Sequence, residues 1–295
     1  MKSKTIGFIG LGLMGAAMVS RLQDSGYKLA VLANRSREAV DKAVGRGAVE
    51  VASARELGEA ADVILLCMDK SSSVEARLRG EDGLIAGLKP GAIVVDFGTS
   101  LPASTRALGA EIAAAGGTML DAPLGRTPAH ALDGLLNIMC AGDKATYDTA
   151  LPLLKDLGEN VFHLGDLGTG HTIKLLNNFF GMTTVAALSE VFSLCDKVGV
   201  DRDQFYQVVS TGPLHSMMMD FVKANAVDGD ATKLEFSLAN ATKDLGYFAE
   251  LAGDAGTDNV MGKASLSLFQ GAVDQGAGDK MVSELVDVLS GKAKS

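Results

Sequence analysis

The chain has 295 residues, 47% of them apolar and 21% charged, enough for one large domain or two ordinary ones. Its formal net charge of −9 argues against general nucleic-acid binding and leaves room for local anion pockets only. Cys67, Cys140 and Cys195 are widely spaced and the four histidines are scattered, so neither a disulfide framework nor a metal site is expected.

The first element predicted is a strand over 5–10. It runs into "GFIGLGLMGAAM", where Gly10, Gly12 and Gly15 have the G-x-G-x-x-G spacing. A helical pattern follows over 14–25, then a strand over 29–33. Bare glycines are a weak signal, but a strand before, a helix after and an enclosing βαβ unit are the contexts the motif needs. Gly10 allows the tight turn, Gly12 lets the backbone approach a pyrophosphate, and Gly15 lets the helix pack on the strand. Leu11, Leu13 and Met14 complete the loop, whose free N–H groups face the phosphates. The alternative is a cluster of packing glycines.

After the second strand an NAD site usually carries a carboxylate for the ribose 2′-OH. This chain reads "VLANRSRE", with Asn34, Arg35 and Ser36 at that place and Arg37 next. A carboxylate would repel a 2′-phosphate, whereas arginine binds one as a fork. NADP(H) is therefore preferred and NAD(H) possible. The other reading is that Arg35 and Arg37 are solvated surface charges.

The alternation continues with a helix over 37–46 and a strand over 63–68 that ends on Met68. A buried strand over 92–96 and a helix over 102–115 follow, then strands over 119–122, 135–141 and 161–164. Strand and helix at this rhythm mean a parallel sheet covered on both faces. Past residue 165 the strand signal stops. Residues 170–198 read as one long helix, apolar on most of its circumference, and further helical patterns lie over 201–210, 221–226, 234–251 and 281–289. The expected fold is an α/β Rossmann-type domain over 1–165, then an all-α domain over 166–295. No apolar run reaches the length of a bilayer span. The glycine-broken N-terminal stretch does not read as a secretory signal. The chain is expected to be soluble and cytoplasmic, with no membrane and no nucleic-acid partner.

Four motifs in order give the chain a specific resemblance. "GFIGLGLMGAAMVSRL" is similar to the N-terminal signature of the β-hydroxyacid dehydrogenases. "VVDFGTSLP" is similar to their Asp-x-Ser-Thr-x-x-Pro segment, with Gly98 for the serine and Thr99 kept. "GHTIKLLNN" resembles their catalytic helix, and "ATKDLGYFAE" their Lys-Asp-Leu segment. The resemblance spans essentially the whole chain. It implies that Lys174 is the catalytic lysine, that Asn178 orients it or the substrate, and that Thr99 and Lys243 lie by the cofactor. It also implies a backbone cofactor contact at Met68, where the family has Leu before a proline that Asp69 replaces here.

The residues themselves agree for Lys174. It sits in the apolar "IKLLNNFF", and Asn178 lies four residues on, on the same helical face. Desolvation would lower a buried lysine's pKa towards neutrality, as suits a general acid. A snorkelling lysine at a helix edge is the alternative. Lys243 also reads as an exposed helix lysine beside Asp244.

The chain departs from the family at "DAPLGRTPAHALDG", where Gly125, Arg126 and Thr127 replace the usual Ser-Gly-Gly. This pattern resembles the 3-sulfolactaldehyde reductase branch. A guanidinium fork and a hydroxyl fit a three-oxygen sulfonate well. Arg126 serves a carboxylate equally, or it forms a salt bridge inside the protein. His130 and His171 flank the two key segments and take no role at this point.

The leading reading is thus an NADP(H)-dependent reductase or dehydrogenase of a short acidic aldehyde and its hydroxy acid, with 3-sulfolactaldehyde first among the substrates. Alternatives are a succinic or tartronate semialdehyde reductase, a 3-hydroxyisobutyrate dehydrogenase, and, more remotely, a non-catalytic dinucleotide sensor. A helix apolar nearly all round needs partners on several sides, so a homodimer or homotetramer is expected.

Overall fold

The computed structural model describes residues 1–33 and 37–292. Asn34, Arg35 and Ser36, the segment read as a 2′-phosphate site, lie outside the described residues. The chain divides into two compact units, Met1–Lys174 and Leu175–Ser295, with the division falling inside a long helix.

The N-terminal unit begins with β1 (Thr5–Ile9), α1 (Leu13–Asp24), β2 (Lys28–Leu32), α2 (Glu38–Gly45), β3 (Val49–Val51) and α3 (Ala54–Ala60). Then come β4 (Val63–Leu66), α4 (Ser71–Leu78), β5 (Ile93–Asp96), α5 (Pro102–Ala114) and β6 (Thr118–Asp121). The six strands form one parallel sheet in the order β3-β2-β1-β4-β5-β6. Its central strands β1, β4 and β5 are apolar on both faces, as a doubly covered parallel sheet requires. Val63 and Leu65 of β4 join Met18 and Leu22 of α1 in one core. Ile64 and Leu66 join Leu57 of α3 and Leu108 and Ile112 of α5 in the other.

The expected strands over 135–141 and 161–164 exist but do not extend that sheet. They are β8 (Leu136–Cys140) and β9 (Gly158–His163), which with β7 (Leu124–Gly125) make a separate three-stranded sheet. Between them run α6 (Pro128–Asp133) and α7 (Lys144–Leu157). β7 pairs antiparallel with β8, and β8 pairs parallel with β9. Periodicity announces a strand but not its partner, which is why the sequence merged two sheets into one.

α8 (Thr169–Val198) is the long helix expected from sequence. It is long and apolar enough to cross a membrane by length and composition, which corrects the sequence expectation that no stretch is. One side of it has a local use: Met182, Val185, Ala186 and Phe192 pack into the core of the C-terminal unit, while Phe180, Leu194 and Val198 stay exposed.

The C-terminal unit continues with α9 (Arg202–Ser210), α10 (Met217–Ala226), α11 (Leu238–Asp254), α12 (Val260–Ala272) and α13 (Leu285–Leu289). The helix expected from 234 starts at Leu238, because the Asn240 N–H donates to Ser237 Oγ at 3.3 Å and caps it there. The helix expected over 281–289 is a short 3-10 turn followed by α13. α12 had no counterpart in the sequence reading.

Candidate active site

The glycine loop behaves as its spacing predicts. Gly10 takes φ +98°, and a Cβ there would lie 2.2 Å from the Cys67 carbonyl oxygen. A Cβ on Gly15 would lie 1.9 Å from the Gly10 carbonyl oxygen, so α1 packs on β1 only with glycine there. A Cβ on Gly12 meets nothing within 4 Å. Gly12 and Leu13 are exposed and Leu11 and Met14 half-buried. Among the described residues no side chain caps the α1 N-terminus, and its first turn carries no acidic residue. Bare amides, the positive end of the helix dipole and open space over Gly12 fit a pyrophosphate.

Arg37, one of the two arginines with a solvated surface charge as the alternative reading, is such a charge, 59% exposed. Its guanidinium pairs with Asp41 and Glu50, each at 2.7 Å, and Arg37 holds the Glu50 carboxyl below its ordinary range. Met68 follows β4 half-buried, and its carbonyl oxygen would lie 3.0 Å from a Cβ on Gly98. The glycine that replaces the family serine therefore occupies a tight spot. Thr99 is half-buried beside it.

The segment from 125 to 127 is unusual in its backbone. Arg126 has φ +78°, the one positive φ among the described residues other than glycine. Such a conformation costs a side-chain-bearing residue about 1–2 kcal/mol. The Arg126 Nη1 donates to the Leu135 carbonyl oxygen and to Glu159 Oε2, both at 2.7 Å. Thr127 Oγ1 lies 2.7 Å from His130 Nδ1. Both side chains proposed for the substrate anion thus have partners within the protein.

Lys174 lies half-buried on α8, the last residue of the N-terminal unit. Asn178, buried, is four residues further along the helix. Its Nδ2 donates to Asp244 Oδ2 at 2.6 Å, and the Asn177 amide donates to its Oδ1 at 3.2 Å. Asp244, 2% exposed, also lies 3.1 Å from Lys243 Nζ, an ion pair outside hydrogen-bond alignment. Lys243 in turn stands 5.5 Å from the Tyr247 ring. Asn178, Asp244 and Lys243 are therefore one polar network, with Asp244 at its centre. In the sequence Asp244 is only the neighbour of Lys243. A carboxylate next to a lysine on an amphipathic helix looks like a surface pair until its burial is known.

His171 is a second buried polar residue whose surroundings are not visible in the sequence. It is fully buried among Thr105, Asp96 and Asp121. The three cysteines carry no site: Cys140 and Cys195 are buried, Cys67 is half-buried, and burial pushes the thiols of Cys67 and Cys140 up to about 12. Among the described residues there is no cluster of metal-ligating side chains.

Comparison with known proteins gives the chain its family and its class of reaction. Residues 5–165 match the family model described as the NAD binding domain of 6-phosphogluconate dehydrogenase. Residues 168–289 match that for the NAD-binding domain of NADP-dependent 3-hydroxyisobutyrate dehydrogenase. The chain belongs to the β-hydroxyacid dehydrogenase family. It is 31% identical to an NAD-dependent L-serine dehydrogenase of Pseudomonas aeruginosa, over 98% of this chain and 100% of that protein. It is 30% identical to 3-sulfolactaldehyde reductase of Escherichia coli strain K12, over 96% of this chain and 94% of that one. A solved structure of Psf3 in complex with NADP+ and 2-OPP superposes with a TM-score of 0.84 at 29% identity, covering 97% of this chain and 100% of that one. This β-hydroxyacid dehydrogenase is accordingly an NAD(P)-dependent oxidoreductase acting on hydroxy acids or the corresponding semialdehydes.

Proposed function

We propose that the protein is an NADP(H)-dependent reductase of a short aldehyde bearing a strong anion, with 3-sulfolactaldehyde as its substrate, running as a dehydrogenase in reverse. The observation that carries the reading is the Gly125-Arg126-Thr127 segment. It offers a guanidinium and a hydroxyl on a left-handed backbone turn, where the family resemblance expects Ser-Gly-Gly. A sulfonate has three acceptor oxygens for such donors. The incoming anion competes with Glu159 for Arg126, and the half-exposed Glu159 is a partner that water and ligand can replace. A carboxylate semialdehyde is the second reading, since arginine serves both anions.

Gly10, Leu11, Gly12, Leu13, Met14 and Gly15 would hold the pyrophosphate, with Met68, Thr99 and Lys243 as further contacts and Asn34, Arg35 and Ser36 at the 2′-phosphate. The bound dinucleotide supplies the hydride for the carbonyl carbon, or accepts it from the alcohol. Lys174 Nζ gives a proton to the carbonyl oxygen as the aldehyde is reduced, and takes it back in oxidation. Asn178, held by Asp244, orients the substrate or Lys174. Lys174→Ala is expected to lower kcat at least a hundredfold with dinucleotide affinity kept. Initial rates with 3-sulfolactaldehyde and succinic semialdehyde, each with NADPH and NADH, test the whole reading. A higher kcat/KM for the semialdehyde makes Arg126 a carboxylate clamp, and a preference for NADH removes Arg35 from the cofactor site.

The protein is further proposed to assemble as a homodimer or homotetramer. Phe180 and Leu194 of α8 are 75% and 58% exposed, and Phe180, Val191, Leu214 and Met261 line an apolar groove of the C-terminal unit. Apolar area of this kind is a common mark of an interface. Light scattering at micromolar concentration should give at least twice the chain mass, and a monomer would refute the assembly.

A further inference from the structure

Three buried ionisable side chains meet where β5, β6 and α8 converge. Asp96 and Asp121 end their strands as register partners and are 1% and 0% exposed. His171, 0% exposed, has Nε2 at 3.8 Å from Asp96 Oδ2 and Nδ1 at 3.8 Å from Asp121 Oδ2. Asp121 acts as the cap of α8 from outside the helix. It accepts the Gly168 N–H on Oδ1 and the His171 N–H on Oδ2, each at 2.7 Å. Asp96 holds the loop that carries Thr99, accepting the Gly98 N–H and the Ser100 hydroxyl, each at 2.9 Å.

The imidazole is held by a third element. Thr105 Oγ1 donates to the Leu101 carbonyl oxygen at 3.1 Å, so its lone pair accepts the His171 Nδ1–H at 2.8 Å. His171 Nε2 is buried with no hydrogen-bond partner. An apolar side chain would fill this slot without leaving a buried nitrogen unsatisfied, so the polar choice costs stability. Gly170 beside it admits no larger residue, because its Cβ would lie 2.2 Å from the Met139 carbonyl oxygen.

We propose that His171 is a positioning residue, which fixes the rotation of the first turn of α8 and thereby the place of Lys174. Asp121 pins the start of the helix at two backbone amides, and the imidazole bound to Thr105 is the second, off-axis attachment that stops it turning. His171 and Lys174 are three residues apart and share one side of α8. All the groups named lie in the N-terminal unit. An extended lysine ammonium stands about 8 Å from its helix axis, so a rotation of about 10° moves it by roughly 1.4 Å. Misplacement by about 1 Å can cost on the order of a hundredfold in rate. The proposal rests on Lys174 as the proton donor.

The test is a set of variants assayed as folded enzyme, with KM, kcat and dinucleotide Kd measured separately. Thr105→Val removes the acceptor and leaves the imidazole in the chain, so it decides the matter even if His171→Leu does not fold. The expected result is a loss of kcat of fivefold or more in Thr105→Val and in any folded His171→Leu, with KM and Kd within twofold. His171→Asn, whose amide can donate where Nδ1 does, should regain most of the rate. In a Lys174→Ala background Thr105→Val should change the residual kcat by less than twofold, because the two changes act through one group. A Thr105→Val enzyme with unchanged kcat and a lowered Tm makes the cluster structural only and overturns the proposal, as does a loss that persists in the Lys174→Ala background. Full activity of Lys174→Ala alone overturns the proton-donor reading and the proposal with it, and is recognised from that single variant.

Discussion

The glycine loop allows ligand and fold to be separated by single methyl groups. Gly12→Ala puts its Cβ into open space at φ −71° and ψ −168°, a backbone any residue adopts. Alanine caps a helix less well than glycine by roughly 0.5–1 kcal/mol, and its lower unfolded-state entropy offsets about 0.4–1 kcal/mol. Net stability should therefore change by less than about 0.5 kcal/mol. Gly15→Ala is different in kind. Its Cβ meets the Gly10 carbonyl oxygen at 1.9 Å and Phe8 Cε1 at 3.1 Å. Relieving that overlap moves α1 off β1 by more than 1 Å, and overpacking on this scale costs about 3 kcal/mol or more. At about 2–4 °C per kcal/mol, Tm should fall by roughly 6–12 °C. Thermal unfolding without ligand, beside NADPH binding by fluorescence, reads both quantities. Gly12→Ala should keep Tm and weaken NADPH at least tenfold, because the methyl occupies the space over the bare amides. If Gly12→Ala binds NADPH within twofold of wild type, the open face over Gly12 is not the pyrophosphate site.

Other consequences follow from the polar contacts. Asp244→Leu should cost about 3–5 kcal/mol, since it strands the Asn178 amide and removes a charge-assisted bond, while Asp244→Asn keeps an acceptor and should cost about 1 kcal/mol; equal losses in thermal unfolding would refute that assignment. Glu159→Gln removes a half-exposed ion pair worth up to about 1 kcal/mol and releases Arg126. It should lower KM for 3-sulfolactaldehyde several-fold, and an unchanged KM in both Glu159→Gln and Arg126→Ala would take Arg126 out of the substrate site. Arg202 and Lys292 pull the Asp196 carboxyl down to about 2. A depressed carboxyl stabilises the fold above its unfolded pKa and loses that contribution as pH falls towards the folded value. The stability gap between wild type and Asp196→Asn should be about 1 kcal/mol at pH 6, after allowance for solvent screening, and should close between pH 4 and 2. A gap that is still present at pH 2 would refute the pairing.

The doubly wound sheet, the glycine loop, the long helix and the lysine on it were legible in the sequence because each is encoded by neighbours in the chain. A continuous apolar run, a G-x-G-x-x-G between strand and helix, and a spacing of four residues from Lys174 to Asn178 are all local patterns. The separate sheet of β7, β8 and β9 was not legible, since strand pairing is a property of two distant segments. The same reason hides the polar networks. Asp244 reads as the surface partner of Lys243 until α11 buries it against Asn178, 66 residues away. Asp121 and His171 are 50 residues apart, and Thr105 and His171 66, so their meeting depends on where β6, α5 and α8 end. Arg126 shows the limit most plainly. The sequence by itself determined that a cation stands between Gly125 and Thr127, whereas the left-handed turn beneath it and the Glu159 carboxylate that holds it were decided by the tertiary structure, because charge is carried by a residue and its partner is chosen by the fold.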